Sequence, residues 1–188
     1  MENNRKIICA VCGVKNSGKT TLIGKLIGEL SRRGIRTAVI KHDGHDFACD
    51  VPGTDSFRFN EAGAFGTAVF SRNRIFVHRR TVDKDAPDGE MLPMDHALWE
   101  QRMVQELSEF FPEADVILVE GLKNTVLPKI EVIRSEISEQ PVSNPSGRFL
   151  IVSDRPEKNF AEKVLGLSQI DKIVDNIVDY FSVKSDGE

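Results

Sequence analysis

Apolar positions along this chain alternate between two rhythms, one of strands buried on both faces and one of helices with a single apolar stripe. Ile7-Ile8-Cys9-Ala10-Val11-Cys12 is an unbroken apolar run after Lys6 and predicts a buried strand over 6–12. From Thr21 the spacing changes. Leu22, Ile23, Leu26, Ile27 and Leu30 form a stripe that predicts a helix over about 20–33. Arg32 and Arg33 give it a cationic last turn, and Gly34 stops it. Thr37-Ala38-Val39-Ile40-Lys41 reads as the next strand, and a crossover of this length implies parallel pairing with the first.

A polar loop runs from Asp43 to about Thr54 and leads into a short helix, Asp55 to about Ala62, that ends at Gly63. Residues 67–70 and 74–78 read as two short strands around Ser71-Arg72-Asn73, a hairpin. Residues 83–93 are acidic and turn-rich, an exposed insertion. A helix is predicted from Asp95, a capping residue, to Phe110. Leu98, Met103, Leu107, Phe110 and Phe111 supply its apolar positions, and Pro112 stops it. Val116-Ile117-Leu118-Val119 is a fully apolar strand followed by Glu120-Gly121. Residues 129–134 alternate polar and apolar, as in an edge or half-buried strand, and 148–152 form another buried strand. Ser168-Gln169-Ile170-Asp171 reads as a capping box for a last helix that aligns Ile170, Ile173, Val174, Ile177, Val178 and Phe181. These elements predict an α/β chain: a three-layer fold with a mostly parallel central sheet and an added β-hairpin and edge-strand region. At 188 residues it is expected to be one domain, 1–188.

The junction of the first strand and helix carries the chemistry. Gly13-Val14-Lys15-Asn16-Ser17-Gly18-Lys19-Thr20, followed by Thr21, reads G-x-x-x-x-G-K-T. Glycines let the backbone curl so that successive N–H groups point inward at phosphate oxygens. The helix N-terminus adds unpaired N–H groups and partial positive charge. Lys19 would neutralise the outer phosphates, and the Thr20 hydroxyl would ligate Mg²⁺. Such a site needs an acid at the carboxyl end of a neighbouring strand, and Glu120 is placed for that. Asp115 begins the same strand and falls at the wrong end. Lys123 follows Glu120 by three residues and can face phosphate or close a salt bridge. With this loop and these charges the expected fold is P-loop NTPase-like, as a single nucleotide-binding domain, 1–188.

The segment Lys41-His42-Asp43-Gly44-His45-Asp46 leaves the second strand at the same edge. Asp43 can hold a Mg²⁺-bound water or orient an attacking water. His42 and His45 are open to anionic-ligand contact, general-base catalysis or plain loop roles; two histidines three apart without cysteine are a weak zinc pattern. Asp50, Asp55 and Ser56 surround Pro52-Gly53, where a helix cap is as good an account as a ligand. Asp154 follows the strand 148–152 at the position from which an acid can read guanine N1 and N2, and with Arg155 and Pro156 it fits a plain turn equally well.

Composition narrows the partners. With 29 acidic against 25 basic residues the net charge is −4, which gives no global electrostatic case for nucleic acid or an anionic membrane. No apolar run reaches the ~20 residues that span a bilayer, and no signal-peptide pattern precedes the first strand, so a cytoplasmic location is expected. Cys9 and Cys12 spell C-x-x-C, but side chains three apart in a strand point to opposite faces, so a redox or metal pair is rejected.

Four motifs together resemble the MobB family, molybdopterin-guanine dinucleotide biosynthesis protein B. They are Gly13-x4-Gly18-Lys19-Thr20-Thr21, then Lys41-His42-x2-His45-x4-Asp50-x-Pro52-Gly53-x-Asp55-Ser56, then Ala62-Gly63-Ala64, then Val119-Glu120-Gly121-x-Lys123. The second is the distinctive one, and the resemblance runs from about residue 6 to 134. It departs at Leu122, where the family commonly has Phe, and in the unmatched segment 83–93. The resemblance implies a GTP-binding protein with weak Mg²⁺-dependent GTPase activity. It also implies a homodimer that assists the MobA nucleotidyltransferase and molybdoenzyme maturation factors, with molybdopterin or its guanine dinucleotide as a further ligand. The residues and the resemblance together give as expected nucleotide contacts Gly13, Lys15, Asn16, Ser17, Gly18, Lys19, Thr20, Thr21, Lys41, His42, His45, Asp55, Lys123 and Asp154. Lys19, Asp43 and Glu120 would carry catalysis, and Thr20, Glu120 and Asp43 would hold Mg²⁺. Two other readings remain: a small-molecule kinase with Asp43 accepting the acceptor's proton, and a non-catalytic adapter that uses nucleotide to shape a partner surface.

Overall fold

The structure, a computed structural model, describes residues 6–43, 47, 49–80 and 93–185. Its elements in chain order are β1 (Ile7–Cys12), α1 (Lys19–Arg32), β2 (Thr37–Lys41), α2 (Asp55–Glu61), β3 (Gly66–Phe70), β4 (Ile75–Arg79), α3 (Pro93–Ser108), β5 (Val116–Glu120), β6 (Lys129–Ile133), β7 (Arg148–Ser153), β8 (Lys163–Gly166) and α4 (Ile170–Ser185). They fall into two compact units, one of residues 1–42 and 93–188, the other of residues 43–92.

The larger unit is a six-stranded sheet of order β2-β5-β1-β6-β7-β8, parallel throughout. Alternate residues of each strand supply two cores. Cys9, Val11, Leu118, Ile130, Val132, Leu150 and Val152 face α1 and α4, meeting Leu22, Leu26, Leu30, Ile173 and Ile177. Ala10, Cys12, Ile117, Val119 and Ile40 face the other way, with Val104 of α3. The two cysteines thus sit in opposite layers as free buried thiols.

Three sequence expectations are corrected, and one strand is added. β2 is parallel to β1 but does not pair with it; β5 lies between them. The segment 129–133 is no edge strand: it pairs with both β1 and β7 and is buried throughout. Its alternating charges are met inside the protein rather than by water. Lys129 Nζ donates to the carbonyls of Asn144, at 3.2 Å, and Ser146. Glu131 accepts the N–H groups of Val142 and Ser143 at 2.9 and 3.1 Å. A loop, not a helix, covers this part of the sheet, and two buried ionic side chains satisfy its backbone. In α3 the buried positions are Glu100, Val104 and Ser108, whereas Leu98, Phe110 and Phe111 are exposed. The helix also starts at Pro93, which is pre-set for a first turn, so Asp95 does not precede it. Finally, β8 was not foreseen; it is four residues long at the sheet edge.

In the smaller unit Asp50 organises the loop before α2. Its carboxylate accepts from Val51 N–H at 2.9 Å, Thr54 and Ser56 hydroxyls at 3.3 and 3.0 Å, and Asn60 at 3.1 Å. Thr54, not Asp55, is the N-cap, accepting from Phe57 N–H. β3 and β4 form the expected antiparallel hairpin. His45 and residues 83–92 lie outside the described residues.

Candidate functional site

The carboxyl ends of β1, β5, β6 and β7 converge around the loop that joins β1 to α1. That loop is tightly wound. Gly13 has φ 141°, and a Cβ there would lie 2.5 Å from Val132 O and 2.7 Å from Ser17 Oγ, so the position is closed to any side chain. Asn16 (φ 64°) and Gly18 (φ 97°) are left-handed. Gly18 is the N-cap of α1, with no side-chain cap and no acidic residue in the first turn. The helix therefore presents its positive end and free N–H groups with no side-chain cap of its own.

Lys19 reaches back over the loop and donates to Gly13 O at 3.1 Å and Val14 O at 2.8 Å. Ser17 is fully buried, yet its hydroxyl has no hydrogen-bond partner among the described residues. A buried orphan donor costs stability unless a ligand satisfies it. Lys15, Asn16, Thr20 and Thr21 are exposed around the rim. The arrangement fits an oligophosphate: a curled backbone, a cation folded over it, an unpaired hydroxyl and a helix N-terminus all offer hydrogen-bond donors.

β5 brings the acid. Glu120 is in register with Val11 on one side and Lys41 on the other. Thr20 Oγ1 donates to the Glu120 carboxylate, at 3.0 Å from each oxygen. A hydroxyl and a carboxylate in contact beside a phosphate loop form a hard-oxygen donor set suited to Mg²⁺. After Glu120 the chain turns sharply, with φ 107° at Gly121 and 58° at Leu122. Gly121 leaves room for His42, whose carbonyl oxygen would be 3.3 Å from a Cβ there.

Lys41 is exposed, and His42 is half-buried with its N–H bonded to Glu120 O at 3.0 Å. Sequence reasoning missed what holds the His42 ring. Its Nε2 is 3.6 Å from Glu100 Oε1, and His96 Nδ1 is 3.3 Å from the same oxygen. Glu100 is 6% exposed and its second oxygen has no partner. The His96-x3-Glu100 spacing on a helix was the available signal. Lys123 is exposed and directly follows the Gly121–Leu122 turn. Asp43 and Asp55 are exposed residues of the smaller unit; Asp55 lies 3.7 Å from Arg58. No group of three or more histidine, cysteine or acidic residues is arranged to hold a metal ion among the described residues.

On the other flank, Asp154 follows β7 with both oxygens engaged by Ser135, from N–H at 3.0 Å and Oγ at 2.9 Å. Burial disfavours its charge, but these donors and the Arg134 charge outweigh that and hold its pKa below the ordinary carboxylate value. Arg134 was also missed. A Cβ on Gly18 would lie 3.6 Å from its Nη2 and 3.7 Å from its Nε.

A parallel sheet of this order with a glycine-bounded loop between its first strand and helix defines a P-loop NTPase-like α/β protein. The family model for molybdopterin guanine dinucleotide synthesis protein B, MobB, matches residues 8–154, and the chain belongs to that family. Two curated relatives named molybdopterin-guanine dinucleotide biosynthesis adapter protein agree with this. The one from Escherichia coli K12 is 33% identical over 175 residues, 92% of each chain. The one from Haemophilus influenzae is 31% identical over 93% of this chain and 89% of its own. The fold is also that of the crystal structure of Bacillus subtilis MobB, at TM-score 0.66 and 24% identity, covering 92% of this chain and 96% of that one. A MobB homologue from Bacillus stearothermophilus gives TM-score 0.59 at 23% identity, covering 94% and 98%. No helix among the described residues is long and apolar enough to cross a membrane.

Proposed function

We propose that the protein is a GTP-binding accessory factor of molybdopterin guanine dinucleotide biosynthesis, with weak Mg²⁺-dependent GTP hydrolysis. The observation that carries the reading is the donor-rich cradle of the β1–α1 loop, where Lys19, the uncapped start of α1 and the orphaned Ser17 hydroxyl meet, with the Thr20–Glu120 pair beside it. Gly13, Lys15, Asn16, Ser17, Gly18 and Thr21 belong to the cradle, and Lys41, His42 and Lys123 to its surroundings at the β2 and β5 ends. Thr20 and Glu120 would hold Mg²⁺, which supplies charge neutralisation at the transferring phosphoryl group.

The relatives are named adapter proteins of this biosynthesis. In this reading the protein serves a nucleotidyltransferase, MobA, that joins guanine nucleotide to molybdopterin, and it acts as a homodimer in the cytoplasm. The hairpin supports a self-association surface: Phe70 and Ile75 face each other across β3 and β4 and are 82% and 78% exposed. The test is phosphate release from GTP with Mg²⁺, with and without the nucleotidyltransferase and molybdopterin. Slow release that depends on Lys19 and changes when partner and pterin are added supports the reading. Nucleotide consumption that requires a small alcohol acceptor overturns it in favour of a kinase.

A further inference from the structure

We propose that Arg134 is a second cationic ligand of the nucleotide's phosphates, and that Asp154 is the positioning residue that holds it there. This rests on the reading of the β1–α1 loop as a nucleoside triphosphate site. Arg134 is the first residue beyond β6, the strand whose Val132 carbonyl closes over Gly13. Its guanidinium lies beside Gly18, the N-cap of α1, where Nη2 and Nε would be 3.6 and 3.7 Å from an added Cβ. A guanidinium, the Lys19 ammonium and the positive end of a helix are like charges gathered at one loop. Among the described residues no carboxylate lies within ion-pair distance of Arg134 or Lys19; Asp154 feels the Arg134 charge but spends both oxygens on Ser135. Arg134 and Lys19 therefore keep donors to offer an oligophosphate, which a guanidinium binds through two parallel N–H groups. The second observation is Ser17, fully buried in the same loop with an unpartnered hydroxyl beside Gly13.

The backbone around Arg134 is fixed from two directions. Its carbonyl oxygen accepts the N–H groups of Ile137 and Ser138 at 2.9 and 2.8 Å. The next residue, Ser135, is clamped by both Asp154 oxygens, at 3.0 and 2.9 Å. Asp154 also has Ser153 Oγ at 3.5 Å. A carboxylate so occupied would have to release Ser135 to read the N1 and N2 donors of guanine. The geometry gives it a different task, to hold the turn that aims Arg134.

The test measures affinity for GTP and ATP by competition calorimetry, with the melting temperature of each nucleotide-free variant to verify folding. Arg134→Gln is expected to weaken both nucleotides by about 10- to 100-fold, with their ratio unchanged. Arg134→Lys should recover part of that loss. Asp154→Asn should weaken both nucleotides in the same ratio and cause no further loss in an Arg134→Gln background, because it acts through the arginine. Wild-type affinity in Arg134→Gln overturns the assignment. So does an Asp154→Asn variant that loses GTP selectively, or whose loss persists in full in the double variant. Lys19→Ala separates the two levels. If it loses binding while Arg134→Gln does not, only the arginine assignment fails. If wild type binds neither nucleotide, the phosphate reading of the loop fails and this assignment goes with it.

Discussion

Thr20 and Glu120, one hundred residues apart, are joined by a hydrogen bond in which the hydroxyl lies 3.0 Å from both carboxylate oxygens. The contact exists because β5 pairs directly with β1 and ends level with it, with Glu120 opposite Val11. It ties the first turn of α1 to the end of β5, so any Mg²⁺ held there shares ligands from both. Glu120→Gln keeps the shape and a hydrogen bond but removes the charge. It is expected to lower Mg²⁺-stimulated GTP hydrolysis by about 10²-fold while Mg²⁺-free nucleotide affinity stays close to wild type. Single-turnover phosphate release across a Mg²⁺ titration checks this; an unchanged Mg²⁺ dependence would contradict it.

Gly13 cannot carry a side chain. A Cβ would sit 2.5 Å from the Val132 carbonyl oxygen, which belongs to a buried central strand and has nowhere to move. Its φ of 141° adds strain for any L-residue. Gly13→Ala is expected to destabilise the fold by about 2–4 kcal/mol, read from the urea midpoint. The same substitution at Gly28, which meets nothing within 4 Å inside α1, should be neutral or slightly stabilising.

Lys129 is fully buried, and burial lowers its pKa. Its ammonium holds two loop carbonyls, those of Asn144 and Ser146. Lys129→Met leaves both unpaired, with an expected cost of about 2–4 kcal/mol. Amide exchange at Val142 and Ser143, which bond to Glu131, should rise more than exchange in α4. Uniform loss of protection across the sheet would mean that the lysine supports the core generally rather than the 142–147 loop.

These sites show which parts of the molecule were legible in the sequence. The tightly wound β1–α1 loop was, because its eight positions are contiguous and its strand and helix announce themselves by period. Glu120 was, because an acid after four apolar residues must fall at the end of a buried strand. The central place of β6 was not. Lys129 and Glu131 alternate with apolar residues as if half-solvated, and the groups that satisfy them lie 11 to 17 residues further along the chain. Glu100 and Arg134 were missed for the same reason. One meets His42 across 58 residues, the other meets Gly18 across 116, and neither spacing leaves a local pattern.

Acid should weaken the α1–α4 layer in a defined window. Hydrogen bonds from Arg32 and Arg33 lower the Glu29 pKa from 4.5 to about 2, and Arg33 also bonds Asp175 of α4 at 2.6 Å. Because the folded value lies below the unfolded one, the stabilisation is complete above pH 4.5 and is lost as the pH falls towards 2. Glu29→Gln should flatten the fall in urea midpoint over this range. Parallel curves for wild type and variant would place the acid sensitivity elsewhere.

The central claim is that the β1–α1 loop binds a guanine nucleotide. Calorimetric titration of the purified protein with GTP, GDP and ATP, each with Mg²⁺, beside a Lys19→Ala control, tests it most directly. The account predicts saturable GTP binding, tighter than ATP, that Lys19→Ala reduces by at least about tenfold. Absence of GTP binding, or binding that Lys19→Ala leaves intact, would contradict it.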